Sequence, residues 1–153
     1  MDAHVTLSDA ENEPGTRAIL DGLIAHNVAA AGAHGYRPLH LLVRPGPDSD
    51  PVGGLTGYTF FGWLFVAMFF LPPALRGQGL GQRLLKQAEA EATARGCIGV
   101  YLDTFSFQAR PFYEAQGYRV FGMLEDTPPG HSRFFMSKRL DGVPSGSIQH
   151  VQP

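Results

Sequence analysis

Cysteine is almost missing from this chain. Cys97 is the single one in 153 residues, so no internal disulfide can form, and no Cys/His cluster has metal-ligand spacing. Cys97 lies between Gly96 and an apolar run at 98–102 and reads as a small buried apolar residue. Charge is scarce too, at 17% of residues, with a formal net charge of −2. That excludes an overall basic field drawing the chain to nucleic acid or an anionic membrane. The longest apolar run, 63–73, is about half of what a membrane-spanning helix needs. Met1-Asp2-Ala3-His4 has no positive segment followed by an apolar stretch, so no secretory signal is read and the cytoplasm is the expected compartment. There are no internal repeats and no heptads.

What is present is a globular profile, 44% hydrophobic, at the length of one ordinary domain that can bury a core without staples. Residues 1–140 are expected to form that domain. Residues 141–153 are polar, rich in Gly, Ser and Pro, without apolar period, and are expected to be a disordered tail.

Apolar periodicity and turn residues divide the chain. A short strand is expected at 4–8 and a helix at 14–31, with Ile19, Leu20, Leu23, Ile24 and Val28 on one stripe. Strands follow at 39–44 and 53–62. The next, 63–71, is apolar on both faces and belongs in the middle of a covered sheet. The strongest helix is 79–95, with Leu80, Leu84, Leu85, Ala88 and Ala92 inward, Glu89 and Glu91 outward, and Gly96 as its stop. A buried-type strand at 98–103, a short helix at 108–116, and strands at 118–122 and 132–138 complete the order. The class is α/β (α+β): a mixed sheet with helices on both faces.

The chemistry concentrates at Arg76-Gly77-Gln78-Gly79-Leu80-Gly81, between the apolar strand and the strongest helix. A helix N-terminus offers unsatisfied N–H groups and the positive end of the macrodipole. Glycines let those groups approach a pyrophosphate, and Arg76 adds a charge that can bind phosphate bidentately. A Walker loop is excluded, because no Lys-Ser/Thr follows to hold a magnesium ion. A dinucleotide fingerprint fits poorly, since the third glycine comes one residue early, although Asp103 ends the next strand about where a ribose-binding acid would stand. A glycine-rich helix start with no ligand is the bland reading.

Residues 71–81, Leu-Pro-Pro-Ala-Leu-Arg-Gly-Gln-Gly-Leu-Gly, resemble the acetyl-CoA motif of the GNAT N-acetyltransferase superfamily. About thirty residues on, Ala109-Arg-Pro-Phe112-Tyr113-Glu-Ala-Gln-Gly117-Tyr118 resembles the second motif of that family, a short helix carrying Tyr and closed by Gly-Tyr. The two motifs and what lies between them cover residues 63–122. The stretches 102–109 and 121–126 are similar to one bacterial branch of the superfamily. The resemblance implies a mostly antiparallel sheet of about seven strands, splayed between the fourth (63–71) and fifth (98–103).

It further implies an N-acetyltransferase that moves acetyl from acetyl-CoA to a primary amine of a small molecule or peptide. The amine attacks directly in a ternary complex, with no metal. Arg76, Gly77, Gln78, Gly79, Leu80, Gly81 and Gln82 would hold the pyrophosphate, and Phe69 and Leu71 would pair with the pantetheine arm. Pro72 and Pro73 suit a strand that breaks there. Ser106, Ala109 and Phe112 would complete the cofactor site, Ser106 standing where family members often have Asn. Tyr113 would be the general acid that protonates the leaving thiolate. Asp103, Glu125 and His131 are candidate bases, with Asp126 beside them. Tyr36, Phe60, Phe61 and Trp63 are either an aromatic wall for the acceptor or plain core. Many members of the family are homodimers. The alternative of another class is a non-catalytic module of the same fold that binds or senses acyl-CoA; a nucleotide-binding protein is a third.

Overall fold

The structure, a computed structural model, describes residues 3–145. The expected tail therefore lies, from residue 146 on, outside the described residues. The chain divides into two compact units, Met1–His34 and Gly35–Pro153.

Among the described residues, the first unit holds one helix, α1 (Thr16–Ala31). The Glu13, Pro14 and Gly15 carbonyls accept from the backbone N–H groups of Thr16, Arg17 and Ala18 at 3.1–3.2 Å and start it. Gly32, at φ +82°, ends it, its N–H returning to the Val28 carbonyl at 2.9 Å. The strand expected at 4–8 does not form. Side chains beyond its weak alternation bond locally instead: Ser8 Oγ accepts from the Ala10 N–H and Glu13 Oε1 from the Gly15 N–H. Such contacts compete with a ladder.

Among the described residues, the second unit holds a six-stranded sheet, one strand fewer than the expected seven. Its elements are β1 (Arg37–Val43), β2 (Gly53–Phe60), β3 (Trp63–Phe70), α2 (Leu80–Ala94), β4 (Gly99–Phe105), α3 (Arg110–Ala115), β5 (Arg119–Glu125) and β6 (Ser132–Arg139). The spatial order is β1-β2-β3-β4-β6-β5. All neighbours are antiparallel except β3 and β4, which α2 joins as a crossover. The β2–β3 turn is Phe61-Gly62, both at positive φ, the two-residue geometry that matches strand twist.

Leu64 and Val66 of β3, Val100 and Leu102 of β4, Leu55 of β2 and Met136 of β6 form one buried layer with Leu85, Ala88 and Ala92 of α2. The other face carries a row of rings: Tyr58 and Phe65 at 5.5 Å, Phe65 and Tyr101 at 4.8 Å, with Trp63 at 6.4 Å from Tyr101. Trp63 lies across its ladder partner Gly99, where a Cβ would come 2.3 Å from the indole.

Two expectations need correction. Glu89 is not on the outer side of α2; it is buried, and both carboxylate oxygens accept from Lys138 Nζ of β6 at 2.8 and 2.9 Å. Its place four residues after Leu85 and three before Ala92 puts it on the inner stripe whatever its charge. And β3 is covered only along its first half: Met68 and Phe70 are 68% and 55% exposed. The change falls at a bulge. Gly57 pairs with Val66 and Thr56 with Met68, which leaves Ala67 as the extra residue.

Candidate active site

The parallel pairing of β3 with β4 runs from Trp63↔Gly99 to Val66↔Leu102 and stops there. Both strands continue, β3 to Phe70 and β4 to Phe105. This is the splay expected between 63–71 and 98–103. Beyond it, the β4-facing edge of β3 has backbone groups with no ladder partner, because β2 pairs with β3 along the opposite edge. The gap is a cleft of about 910 Å³.

The helix start lines the cleft. After β3, Pro72 is extended and Pro73–Leu75 make one 3-10 turn. Gly77 and Gly79 both take φ +76°, a region that other residues enter at a cost. Gly79 is the N-cap of α2, and the first helical hydrogen bond is Arg83 N–H to the Gly79 carbonyl at 3.1 Å. The N–H groups ahead of it have no acceptor within the helix. Arg76 folds back: its Nε donates to the Leu71 carbonyl at 2.7 Å, and its guanidinium lies 5.7 Å from the Phe70 ring centroid. Its side chain makes no ion pair among the described residues. Gly81 lies beside Phe112 and Leu71, which a Cβ there would meet at 3.5 and 3.6 Å.

β4 and α3 line the cleft too. Tyr113 is buried, one turn into α3. Burial, and then the negative charge of Asp103, push its hydroxyl up to about 12. It is a protonated donor at every physiological pH. Asp103 lines the same cleft, and its Oδ2 accepts from Arg133 Nε at 2.8 Å. The Arg133 guanidinium lies 5.5 and 5.3 Å from the ring centroids of Phe105 and Phe135. Gln108 Oε1 accepts from the Phe105 N–H at 3.0 Å and from the Thr104 hydroxyl at 3.4 Å, and Thr104 in turn accepts from the Ala109 N–H. These bonds fix the turn from β4 into α3 and hence the height at which Tyr113 enters the cleft.

Of the residues singled out in the sequence, the cleft brings together Phe69, Leu71, Arg76, Gly77, Gly79, Gly81, Gln82, Asp103, Ala109, Phe112 and Tyr113. Gln78, Leu80, Ser106, Glu125 and His131 are not among its lining residues. Ser106 and His131 meet each other: Ser106 Oγ is 3.3 Å from His131 Nδ1 and accepts from the Ser132 N–H at 3.1 Å. Glu125 ends β5, exposed, and its carbonyl accepts from the Thr127 hydroxyl. Of the four aromatic residues weighed as a wall, Tyr36 and Trp63 border the ring row, through Tyr58 and Tyr101, while Phe60 and Phe61 pair with each other at the hairpin.

Sequence reasoning missed Arg133, Phe105, Phe107 and Gln108. Arg133 is thirty residues from its partner, with no local signal. Gln108, four residues after Thr104, could have been found as a turn-closing side chain. Among the described residues, no three His, Cys, Asp or Glu side chains gather to hold a metal ion, and no helix is long and apolar enough to cross a membrane.

Residues 11–118 match a family model described as the acetyltransferase (GNAT) family. The chain is 41% identical over 134 residues to an acetyltransferase of Agrobacterium fabrum, a match that covers 88% of this chain and 97% of that one. It is 40% identical over 96 residues to the blasticidin-S acetyltransferase of Streptomyces morookaense, covering 62% and 71%. A crystal structure from Agrobacterium tumefaciens, assigned as an acetyltransferase, superposes with a TM-score of 0.84 at 39% identity, over 90% of this chain and 99% of that one.

Proposed function

The chain belongs to the acetyltransferase (GNAT) family and is an acyltransferase; on that premise we propose that it transfers acetyl from acetyl-CoA to a primary amine of a small molecule. The observation that carries this reading is the split between β3 and β4, whose cleft is lined by a helix N-terminus, Arg76 and Tyr113 together. A long cosubstrate with a pyrophosphate at one end and a thioester at the other needs such a slot. The N–H groups at the start of α2 and the Arg76 guanidinium would hold the pyrophosphate. The free edge of β3 from Ala67 to Phe70 offers main-chain groups to an amide-bearing arm, so that the substrate serves as the missing strand. The bulge at Ala67 turns a backbone N–H out of the ladder, which suits a donor to the thioester carbonyl as charge develops there.

The chemistry is one displacement. The amine nitrogen attacks the carbonyl carbon, the C–S bond breaks, and Tyr113 gives its proton to sulfur. The proton lost by the amine passes to solvent through the open cleft, so Asp103 stays a carboxylate, its Oδ2 held by Arg133 at 2.8 Å. Asp103 favours a cationic amine in the cleft on Coulomb grounds. The relative from Streptomyces morookaense, by its name, acts on blasticidin S, and this supports an amine-bearing small molecule as the class of acceptor.

The test is calorimetry with acetyl-CoA, with NAD and ATP as controls, followed by CoA release on a panel of primary amines that includes blasticidin S. Micromolar binding of acetyl-CoA alone, and amine-dependent CoA release, are the expected results. No binding of acetyl-CoA would remove the cofactor assignment. Binding with no turnover on any amine would remove the acceptor class and leave the cofactor standing.

A further inference from the structure

The split between β3 and β4 opens on both faces of the sheet, and the strand registers tell the faces apart. On β4, Leu102 lies in the buried layer with α2, and Thr104 is buried two residues on. Asp103 and Phe105 alternate with them and stand on the opposite face, in line with Tyr101 of the ring row. On β3, Phe69 pairs with Leu55 of the buried layer, and its ring meets that of Phe112 in α3 at 6.1 Å. Met68 and Phe70, paired with Thr56 and Gly54, therefore share the face of Asp103 and Phe105. Tyr113, Phe112 and the start of α2 belong to one face of the split, and these four residues to the other.

That second face is apolar and carries little charge. Met68, Phe70, Asp103 and Phe105 all line the cleft, and Phe107 lines it with them. Phe107 stacks on Phe105 at 5.2 Å with the ring planes 13° apart, meets the His131 ring edge-on at 5.0 Å, and is still 54% exposed. Met68 and Phe70 are exposed as well. Large apolar side chains left to water at a cleft are covered at a gain when an apolar ligand binds. Among the described residues, Asp103 is the one carboxylate that lines the cleft. The other charges here are cations: Arg133, bonded to Asp103, and Arg76, whose guanidinium lies 5.7 Å from the Phe70 ring centroid. One ammonium therefore finds a partner, whereas a second would find no carboxylate and two like charges.

We propose that the acceptor is an arylalkylamine in class: a primary amine with one positive charge, drawn by Asp103, on an apolar ring-bearing body that seats on Phe107 and Phe105, with Met68 and Phe70 across the split. Aromatic side chains reward such a body beyond the area they cover, because ring pairs add a specific attraction. Phe107 and Met68 are then the residues that set acceptor choice, and polyamines are selected against by the lack of a second carboxylate. This inference rests on the reading of the cleft as the seat of acetyl transfer to an amine, and it leaves that transfer step unchanged.

The experiment follows CoA release from acetyl-CoA with phenethylamine, putrescine and blasticidin S, on the full chain and on its Phe107→Ala and Met68→Glu variants. Both side chains are more than half exposed, so neither change opens the core. In the parent, kcat/KM for phenethylamine should exceed that for putrescine by about 10-fold or more. Phe107→Ala should raise KM for phenethylamine about 10-fold and lower that preference by the same factor. Met68→Glu sets a second carboxylate across the split from Asp103 and should shift the preference about 5- to 10-fold toward putrescine. A parent that prefers putrescine or blasticidin S, or a preference that either variant leaves unmoved, overturns this inference and leaves the transferase reading standing. Binding of acetyl-CoA with no transfer to any amine removes the acceptor class, and this inference falls with it.

Discussion

Arg76→Ala should weaken acetyl-CoA binding about 10- to 30-fold without changing the thermal midpoint. The size follows from how the side chain is held. Its Nε is bonded to the Leu71 carbonyl and its guanidinium stacks near Phe70, so part of the ordering cost is met before a phosphate arrives. The remaining N–H groups lie outside any ion pair among the described residues. A charge-assisted hydrogen bond contributes ~1.5–3 kcal/mol. Solvent access and screening over ~8–10 Å favour the lower part of that range, about 1.5–2 kcal/mol. At ~1.4 kcal/mol per factor of ten, that is the stated loss in Kd. Two controls separate charge from shape. Arg76→Lys keeps the charge but loses the Nε anchor and the fork, and should cost about threefold. Raising the salt to ~1 M should shrink the gap between the parent and the Arg76→Ala enzyme, because the Debye length falls to ~3 Å. Calorimetry at two ionic strengths on the three proteins reads all of this. Equal affinity for the parent and the Arg76→Ala variant at low salt would refute the phosphate role of the loop, and an equal gap at both salts would refute the Coulombic account of it.

Tyr113→Phe should lower kcat by ~10²–10⁴ with acetyl-CoA affinity within twofold, since a general acid acts on the chemical step; slowed CoA release with unaltered binding is the check. Gly99→Ala should destabilise the fold by ~1–3 kcal/mol, because the added Cβ falls within 2.3 to 2.8 Å of three Trp63 ring carbons, read as a drop in the urea midpoint. Stability should fall as pH rises from about 10 to about 12: the folded chain keeps the Tyr113 proton up to about 12 while the unfolded chain loses it near 10, so the unfolded state binds fewer protons in that window. Two pKa units correspond to roughly 2–3 kcal/mol at the upper end, and Tyr113→Phe should flatten the decline in a series of alkaline melts.

Periodicity located α2 and β4 because both bury one continuous face, and glycines at 79 and 96 bound the helix. It misplaced Glu89 because polarity was read in place of angle: at 100° per residue the position is internal, and its partner Lys138 stands 49 residues away. The segment 4–8 has two alternating apolar residues, Val5 and Leu7, and no turn to bring a partner beside it. The exposed half of β3 could not be read either, since Met68 and Phe70 continue the apolar run and only the register with β2 reveals the bulge at Ala67. At the site, the loop and Tyr113 were legible from local spacing. Arg133 was not, because a cross-strand carboxylate–guanidinium pair between β4 and β6 depends on a register that no local pattern encodes.

The same register explains how one carboxylate can serve two demands. Burial, and then Asp103, raise the proton affinity of Tyr113, which in the proposed reaction keeps the proton on Tyr113 until sulfur takes it. Left alone, a carboxylate in this cleft would oppose the phenolate that forms afterwards. Arg133, pinned between the rings of Phe105 and Phe135 and bonded to one oxygen only, offsets part of that charge without occupying the other oxygen. Exchange of Arg133 for Gln keeps a donor of similar reach but removes the cation. The repulsion between Asp103 and the developing phenolate should then grow, and kcat should fall while acetyl-CoA, which on the proposed reading is held by the α2 loop, keeps its affinity. An Arg133→Gln enzyme with unchanged kcat would mean that the pair only joins β4 to β6; one that loses acetyl-CoA affinity as well would mean that it shapes the whole cleft.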